Sequence, residues 1–87
     1  MKNIVLTPKA LEEIGYWAKE NRKMLLRILD LINDIQRDPF SGIGRPEPLR
    51  HDFKGLWSRR IDNTHRLIYS VEAGQIVIAA CRFHYSK

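Results

Sequence analysis

Cysteine is all but missing from this chain: its 87 residues contain one, Cys81. A single cysteine excludes an intrachain disulfide, and its place in an apolar run points to a reducing, cytoplasmic compartment. No apolar stretch approaches the about 20 residues that cross a bilayer, so no membrane partner is expected. The opening Met1-Lys2-Asn3-Ile4-Val5-Leu6 is too short an apolar run for a secretory signal. The three histidines lie far apart and no acidic cluster has ligand spacing, so neither a metal nor another cofactor is expected. A glycine-rich phosphate loop of the P-loop or dinucleotide-binding type is absent, as are repeats and low-complexity segments. Residues 1–87 are expected to form one domain with a single modest core.

Acidic residues are also in deficit, 10 against 15 Lys and Arg, for a formal net charge of +5. Residues 1–40 carry seven basic and six acidic side chains, whereas residues 41–87 carry eight and four. A near-neutral half joined to a basic half implies one surface that faces a polyanion.

Residues 2–6 read as a short strand. Thr7-Pro8 then supplies an N-cap and a proline at the first helical position. Leu11, Ile14, Trp17 and Ala18 recur at helical spacing up to Glu20, and Asn21 interrupts the chain. A second helix over Arg22 to Arg37 has a broad apolar stripe from Met24 to Ile35. Residues 39–55 read as a rigid loop rich in proline and glycine, long enough to suggest a functional role. Strands are expected over Leu56 to Ile61, Arg66 to Val71, and Gln75 to Phe83. The last is apolar on both faces and therefore central. The order β-α-α-β-β-β describes an α+β fold, two N-terminal helices on one face of a mainly antiparallel sheet with the other face open.

Alternation puts Leu67, Tyr69 and Val71 on the core face of their strand, and Arg66, Ile68 and Ser70 on the open one. On the last strand Arg82 and His84 share one face and Phe83 and Tyr85 the other; which set adjoins Arg66 depends on a register the sequence leaves open. Imidazole moves protons near neutral pH and guanidinium binds phosphate bidentately, so His84 beside arginines suggests chemistry on a phosphodiester. Nearby positive charge would disfavour its imidazolium form unless bound phosphate compensates. His51 and His65 read as surface or structural residues. Glu47, flanked by Pro46 and Pro48, is either a general base or a solvated acid paired with Arg45 or Arg50. Arg45, Arg50, Lys54, Arg59, Arg60 and Arg66 supply phosphate-facing charge. Arg59 and Arg60, being adjacent, point to opposite faces, so one can bind phosphate while the other pairs with an acid or covers a helix end. Phe53 and Trp57 read as packing aromatics, whereas Tyr85 can stack on a base or bind a phosphate oxygen.

The blocks Asp38-Pro39-Phe40, Gly42 to Leu49, Trp57-Ser58-Arg59-Arg60-Ile61, His65 to Tyr69, and Ala79 to Tyr85 occur in an order and spacing that resembles the YoeB/Txe toxins of the RelE/ParE superfamily, nearly end to end. The resemblance implies a RelE-like fold of the microbial-ribonuclease type and a ribosome-dependent endoribonuclease. It implies Glu47 as general base, Arg66 as stabiliser of phosphorane-like charge, His84 as the acid that protonates the leaving 5′-oxygen, and Tyr85 as a residue shaping the site. Arg60 and Arg50 carry over as phosphate contacts, and Arg82 joins the RNA-binding set with Arg45, Lys54 and Arg59. The implied partners are mRNA in the ribosomal A site, ribosomal RNA, a YefM-like antitoxin, and a second copy of the chain in a homodimer. The departures are the tail Ser86-Lys87, and arginine at positions 45 and 50, where lysine also occurs in relatives. Two other readings are a ParE-like gyrase inhibitor, a subgroup that generally lacks this acid–base set, and a basic module that only docks on nucleic acid.

Overall fold

The computed structural model describes residues 2–83. Strand β1 (Asn3–Leu6) leads into helices α1 (Pro8–Glu20) and α2 (Arg22–Arg37), followed by strands β2 (Glu47–Pro48), β3 (Trp57–Arg60), β4 (Arg66–Glu72) and β5 (Gln75–Ala80). Local chemistry sets the helix ends. Thr7 is extended and its Oγ1 accepts from the Ala10 N–H at 3.1 Å, with Pro8 at the helix start. Asn21 serves both helices: its N–H donates to the Trp17 carbonyl, and its side chain accepts from the Met24 N–H.

The sheet order is β1-β5-β4-β3-β2, with β1 parallel to β5 and the other pairs antiparallel. β5 is therefore flanked on both edges, as its two apolar faces predict. The β4–β5 turn uses Gly74 at φ 76°, a left-handed conformation that costs glycine little. The helices cover one sheet face. Ile28, Leu31 and Ile35 of α2 are fully buried with Leu67, Tyr69, Ile76 and Ile78 of the sheet. Each such aliphatic side chain contributes about 1.5–3 kcal/mol.

Three expectations require correction. The buried face of α1 is Ala10, Glu13 and Trp17, with Ile14 half-buried; Leu11 is 60% exposed, because the helix rolls toward the end of β5 rather than presenting its leucine. The long loop is not without regular structure: Glu47 and Pro48 pair with Ser58 and Trp57, and His51–Phe53 form a 3₁₀ turn. Strand β5 stops at Ala80, because the next backbone groups bond to α1 instead of to a strand. The Cys81 N–H donates to Glu13 Oε1 at 2.7 Å, and the Cys81 carbonyl accepts from Trp17 Nε1 at 2.9 Å.

Candidate active site

The sheet register assembles one group of side chains. Glu47 lies opposite Ser58, Ser58 opposite Ile68, and Arg60 opposite Arg66. Directly opposed residues share a sheet face, so all five lie on the face turned away from the helices. Glu47 is exposed, and its carboxylate makes no hydrogen bond or ion pair among the described residues, so the solvated pair with Arg45 or Arg50 does not form there. Arg60 and Arg66 are like charges directly across a strand pair, an arrangement that costs stability unless an anion offsets it. Arg66 is half-buried; its Nη1 donates to the carbonyls of Asp62 at 2.8 Å and His65 at 3.1 Å. Arg45, at φ 54°, and Arg50 and Lys54 are exposed on the loop flanking Glu47.

Beyond β5 the chain is held to the same end of the sheet. The Phe83 carbonyl accepts from the Arg66 N–H at 2.7 Å, and the Phe83 N–H donates to His65 Nδ1 at 2.7 Å. Arg82 does not lie on a strand face as expected. Its guanidinium stacks over the Tyr16 ring, 3.5 Å from the centroid, and its Nε is buried without a hydrogen-bond partner among the described residues. Burial, helped by the Glu13 charge, pushes the Cys81 thiol up to about 12, so it stays protonated. His84 and Tyr85 lie outside the described residues.

Arg59 is the clearest correction. It is fully buried on the helix side and cannot meet a phosphate. All five of its N–H groups are engaged: Nε to the Tyr69 hydroxyl, Nη1 to Asp34 Oδ2 and the Ile43 carbonyl, and Nη2 to the carbonyls of Asp38 and Ser41. Tyr69 donates in turn to the Pro39 carbonyl at 2.6 Å. Arg59 therefore closes the end of α2 and fixes the loop that leads to Glu47, the second of the two roles that adjacency allowed. Gly44 completes the approach at φ 81°, where a Cβ would lie 2.8 Å from Leu31 Cδ2 and 3.1 Å from Arg59 Cβ.

Arg37, opposed by burial and assisted by Arg59 and the Ile43 N–H, holds the Asp34 carboxyl down at about 2. A carboxyl depressed in the folded state stabilises the fold above its ordinary titration range, and that contribution fades as pH falls through the folded value. Denaturant midpoints should therefore drop between pH 4 and pH 2. Asp34→Asn should lower stability at pH 7 and flatten that acid limb; an unchanged limb would remove Asp34 from the account.

A sequence profile of the YoeB-like toxins of bacterial type II toxin–antitoxin systems matches residues 6–85. The chain belongs to this family. It is 51% identical to Toxin YoeB of Streptomyces coelicolor over 82 residues, 94% of this chain and 98% of that protein. The structure of a YoeB dimer from Staphylococcus aureus superposes with a TM-score of 0.90 at 40% identity, covering 97% of this chain and 98% of the other. A YoeB–YefM complex from the same organism gives 0.88 at 41%, covering 98% and 99%. The mixed sheet carrying two helices is thus the YoeB and RelE-like architecture that the sequence blocks implied. Within this YoeB-like chain, the fold brings Glu47, Arg60 and Arg66 to one sheet face and removes Arg59 from it. The reading of the sequence overlooked Glu13, which holds the chain after β5; His65, read as surface or structural, does so too and is structural. An acid within the apolar stripe of α1 was the available sign for Glu13.

Proposed function

We propose that this YoeB-like toxin is an endoribonuclease that cuts mRNA in the ribosomal A site. The observation that carries the reading is the shared face of a carboxylate without a partner among the described residues, Glu47, and two opposed arginines, Arg60 and Arg66. The hydrogen bond from Arg66 to Phe83 adds to it, since the next residue in sequence is His84.

Glu47 accepts the proton of a ribose 2′-hydroxyl, and the 2′-oxygen attacks the adjacent phosphorus. Arg66, with Arg60, stabilises the charge that builds on the phosphorane oxygens. His84 gives its proton to the departing 5′-oxygen, and Tyr85 shapes the site around it. The products are a 2′,3′-cyclic phosphate and a 5′-hydroxyl, and the base, acid and charge stabiliser are side chains of this chain. Arg45, Arg50 and Lys54 contact the RNA backbone, and Arg82 adds positive charge from its seat on Tyr16.

An acidic, partly disordered antitoxin of the YefM kind suits this basic surface, because a segment that folds on binding can wrap a large area. The S. aureus YoeB–YefM complex and YoeB dimer support both that partner and self-association, in a cytoplasmic setting. The deciding experiment is primer extension on a defined mRNA, with and without programmed ribosomes. Cleavage at a discrete A-site position on ribosomes alone is the expected result. Intact mRNA in both arms would overturn the reading and direct attention to gyrase.

A further inference from the structure

We propose that His65 is a positioning residue: its imidazole Nδ1 accepts the Phe83 N–H and so fixes the backbone from which His84 and Tyr85 continue. The inference rests on the proposed role of His84 and deepens it.

Among the described residues two hydrogen bonds hold Phe83, and both run to neighbouring residues at the start of β4: its N–H to His65 Nδ1, and its carbonyl from the Arg66 N–H, each at 2.7 Å. Phe83 sits at φ 63°, a left-handed conformation that a bulky residue adopts only when its surroundings enforce it. Of the two bonds, only the one to His65 depends on a side chain, so it is the one that mutation can remove cleanly.

His65 is itself fixed from several sides. Its ring lies edge-on to Trp17, with centroids 4.8 Å apart and planes at 81°, and it also faces the Phe83 ring at 5.6 Å. Its backbone N–H donates to Asp62 Oδ1 at 2.7 Å, and its carbonyl accepts from Arg66 Nη1 at 3.1 Å. Trp17 is locked in turn by its indole N–H on the Cys81 carbonyl. One aromatic pair therefore grips the chain at two points, residues 81 and 83. A ring nitrogen that accepts must be unprotonated, so in the neutral ring the proton resides on Nε2. Side chains that position a proton donor need not touch substrate to matter, since a displacement of about 1 Å can cost about 10²-fold in rate.

The test compares His65→Phe, which keeps a ring against Trp17 but lacks the acceptor, with His65→Asn, whose amide oxygen can stand near the place of Nδ1. Two readouts are taken: hydrogen exchange of the Phe83 amide in the free protein, and cleavage kinetics on programmed ribosomes. His65→Phe is expected to speed exchange at Phe83 by at least about tenfold and to lower kcat by about 10²-fold, with KM within about twofold. His65→Asn should recover most of both. A Phe83 amide as protected in His65→Phe as in wild type, or an unchanged kcat, overturns the proposal, as does a His65→Asn protein no better than His65→Phe. Should His65→Phe fail to fold, His65→Gln, whose longer amide carries the acceptor away from the Nδ1 position, replaces it. A parallel His84→Gln protein separates the two levels. Wild-type cleavage by that protein sinks the acid assignment itself, whereas dependence on His84 with indifference at His65 sinks only the positioning role.

Discussion

Glu47→Gln is expected to leave the fold intact and reduce cleavage on programmed ribosomes by about 10²–10⁴-fold, the usual contribution of a general base. The fold should survive because Glu47 is exposed and its carboxylate holds nothing together among the described residues. A melting temperature indistinguishable from wild type is part of the prediction, since it separates lost chemistry from lost structure. The loss should fall on kcat, because a carboxylate that takes a proton acts in the transition state. Arg66→Ala should cost about 10²–10³-fold, as for removal of one oxyanion donor. Arg66→Lys should recover little of it, since an ammonium keeps the charge but not the planar fork. Arg45→Ala and Lys54→Ala should behave differently, weakening ribosome association in a salt-dependent way while leaving kcat in place. A Glu47→Gln protein that cuts at half the wild-type rate would transfer the base role to another group and dissolve the site as drawn.

The parts of this fold that were legible in the sequence are those governed by local rules. The Thr7-Pro8 start, the Asn21 junction and the stripe of α2 each follow from a cap, a proline or a helical period, and each lies where expected, save that Leu29 of the stripe is exposed. Alternation along β4 correctly divided Leu67 and Tyr69 from Arg66. What could not be read is set by pairing across long sequence distances. The roll of α1 goes with the bonds of Glu13 and Trp17 to Cys81, and although an acid in the apolar stripe marks Glu13 as unusual, nothing near it names a partner 68 residues away. The same bond takes the backbone out of the sheet after Ala80, which is why the last strand is shorter than its apolar run. A bulge between Ile68 and Tyr69 shifts the β4–β5 register, so that Ile68 meets Ala80 while Tyr69 meets Ile78. A one-residue slip of that kind reverses facing, so period-two reasoning along β5 could not have carried to its end. For the site, residue types and blocks named Glu47 and Arg66, but only the β2–β3–β4 register puts them on one face. Arg59 and Arg60 are the same letter in the sequence, and the sheet alone separates a buried strut from an exposed charge.

Arg59→Met should be strongly destabilising, at about 1–3 kcal/mol for each buried acceptor left without a donor. The expectation follows from what the substitution leaves behind. Asp34 would keep Arg37 but lose its inner cation, and the carbonyls of Asp38 and Ile43 would lose their donor, while that of Ser41 keeps only Arg37 Nη2 at 3.4 Å. Such a loss is a large part of the about 5–15 kcal/mol that a domain of this kind has in total. Arg59→Lys tests the geometry rather than the charge. Three ammonium donors cannot serve five acceptors; Asp34 Oδ2 keeps the Ile43 N–H and the Ser41 carbonyl keeps Arg37 Nη2, so the cost falls on the carbonyls of Asp38 and Ile43, at about 1–3 kcal/mol for each left unmet. Denaturant titration should therefore show a lower midpoint at unchanged slope for Arg59→Lys. In the double variant with Asp34→Asn the two losses should fall short of additive, since both remove the same bond. The network should also be visible in activity. The loop from Asp38 to Ile43 that Arg59 grips is the same chain that delivers Glu47 to β2, so a folded Arg59→Lys protein should lose kcat while Arg60 and Arg66 stand unaltered. An Arg59→Lys protein within about 0.5 kcal/mol of wild type would assign the hub the small worth of a surface ion pair. Its complete burial and five filled donors argue against that outcome, because no water is at hand to replace what lysine cannot reach.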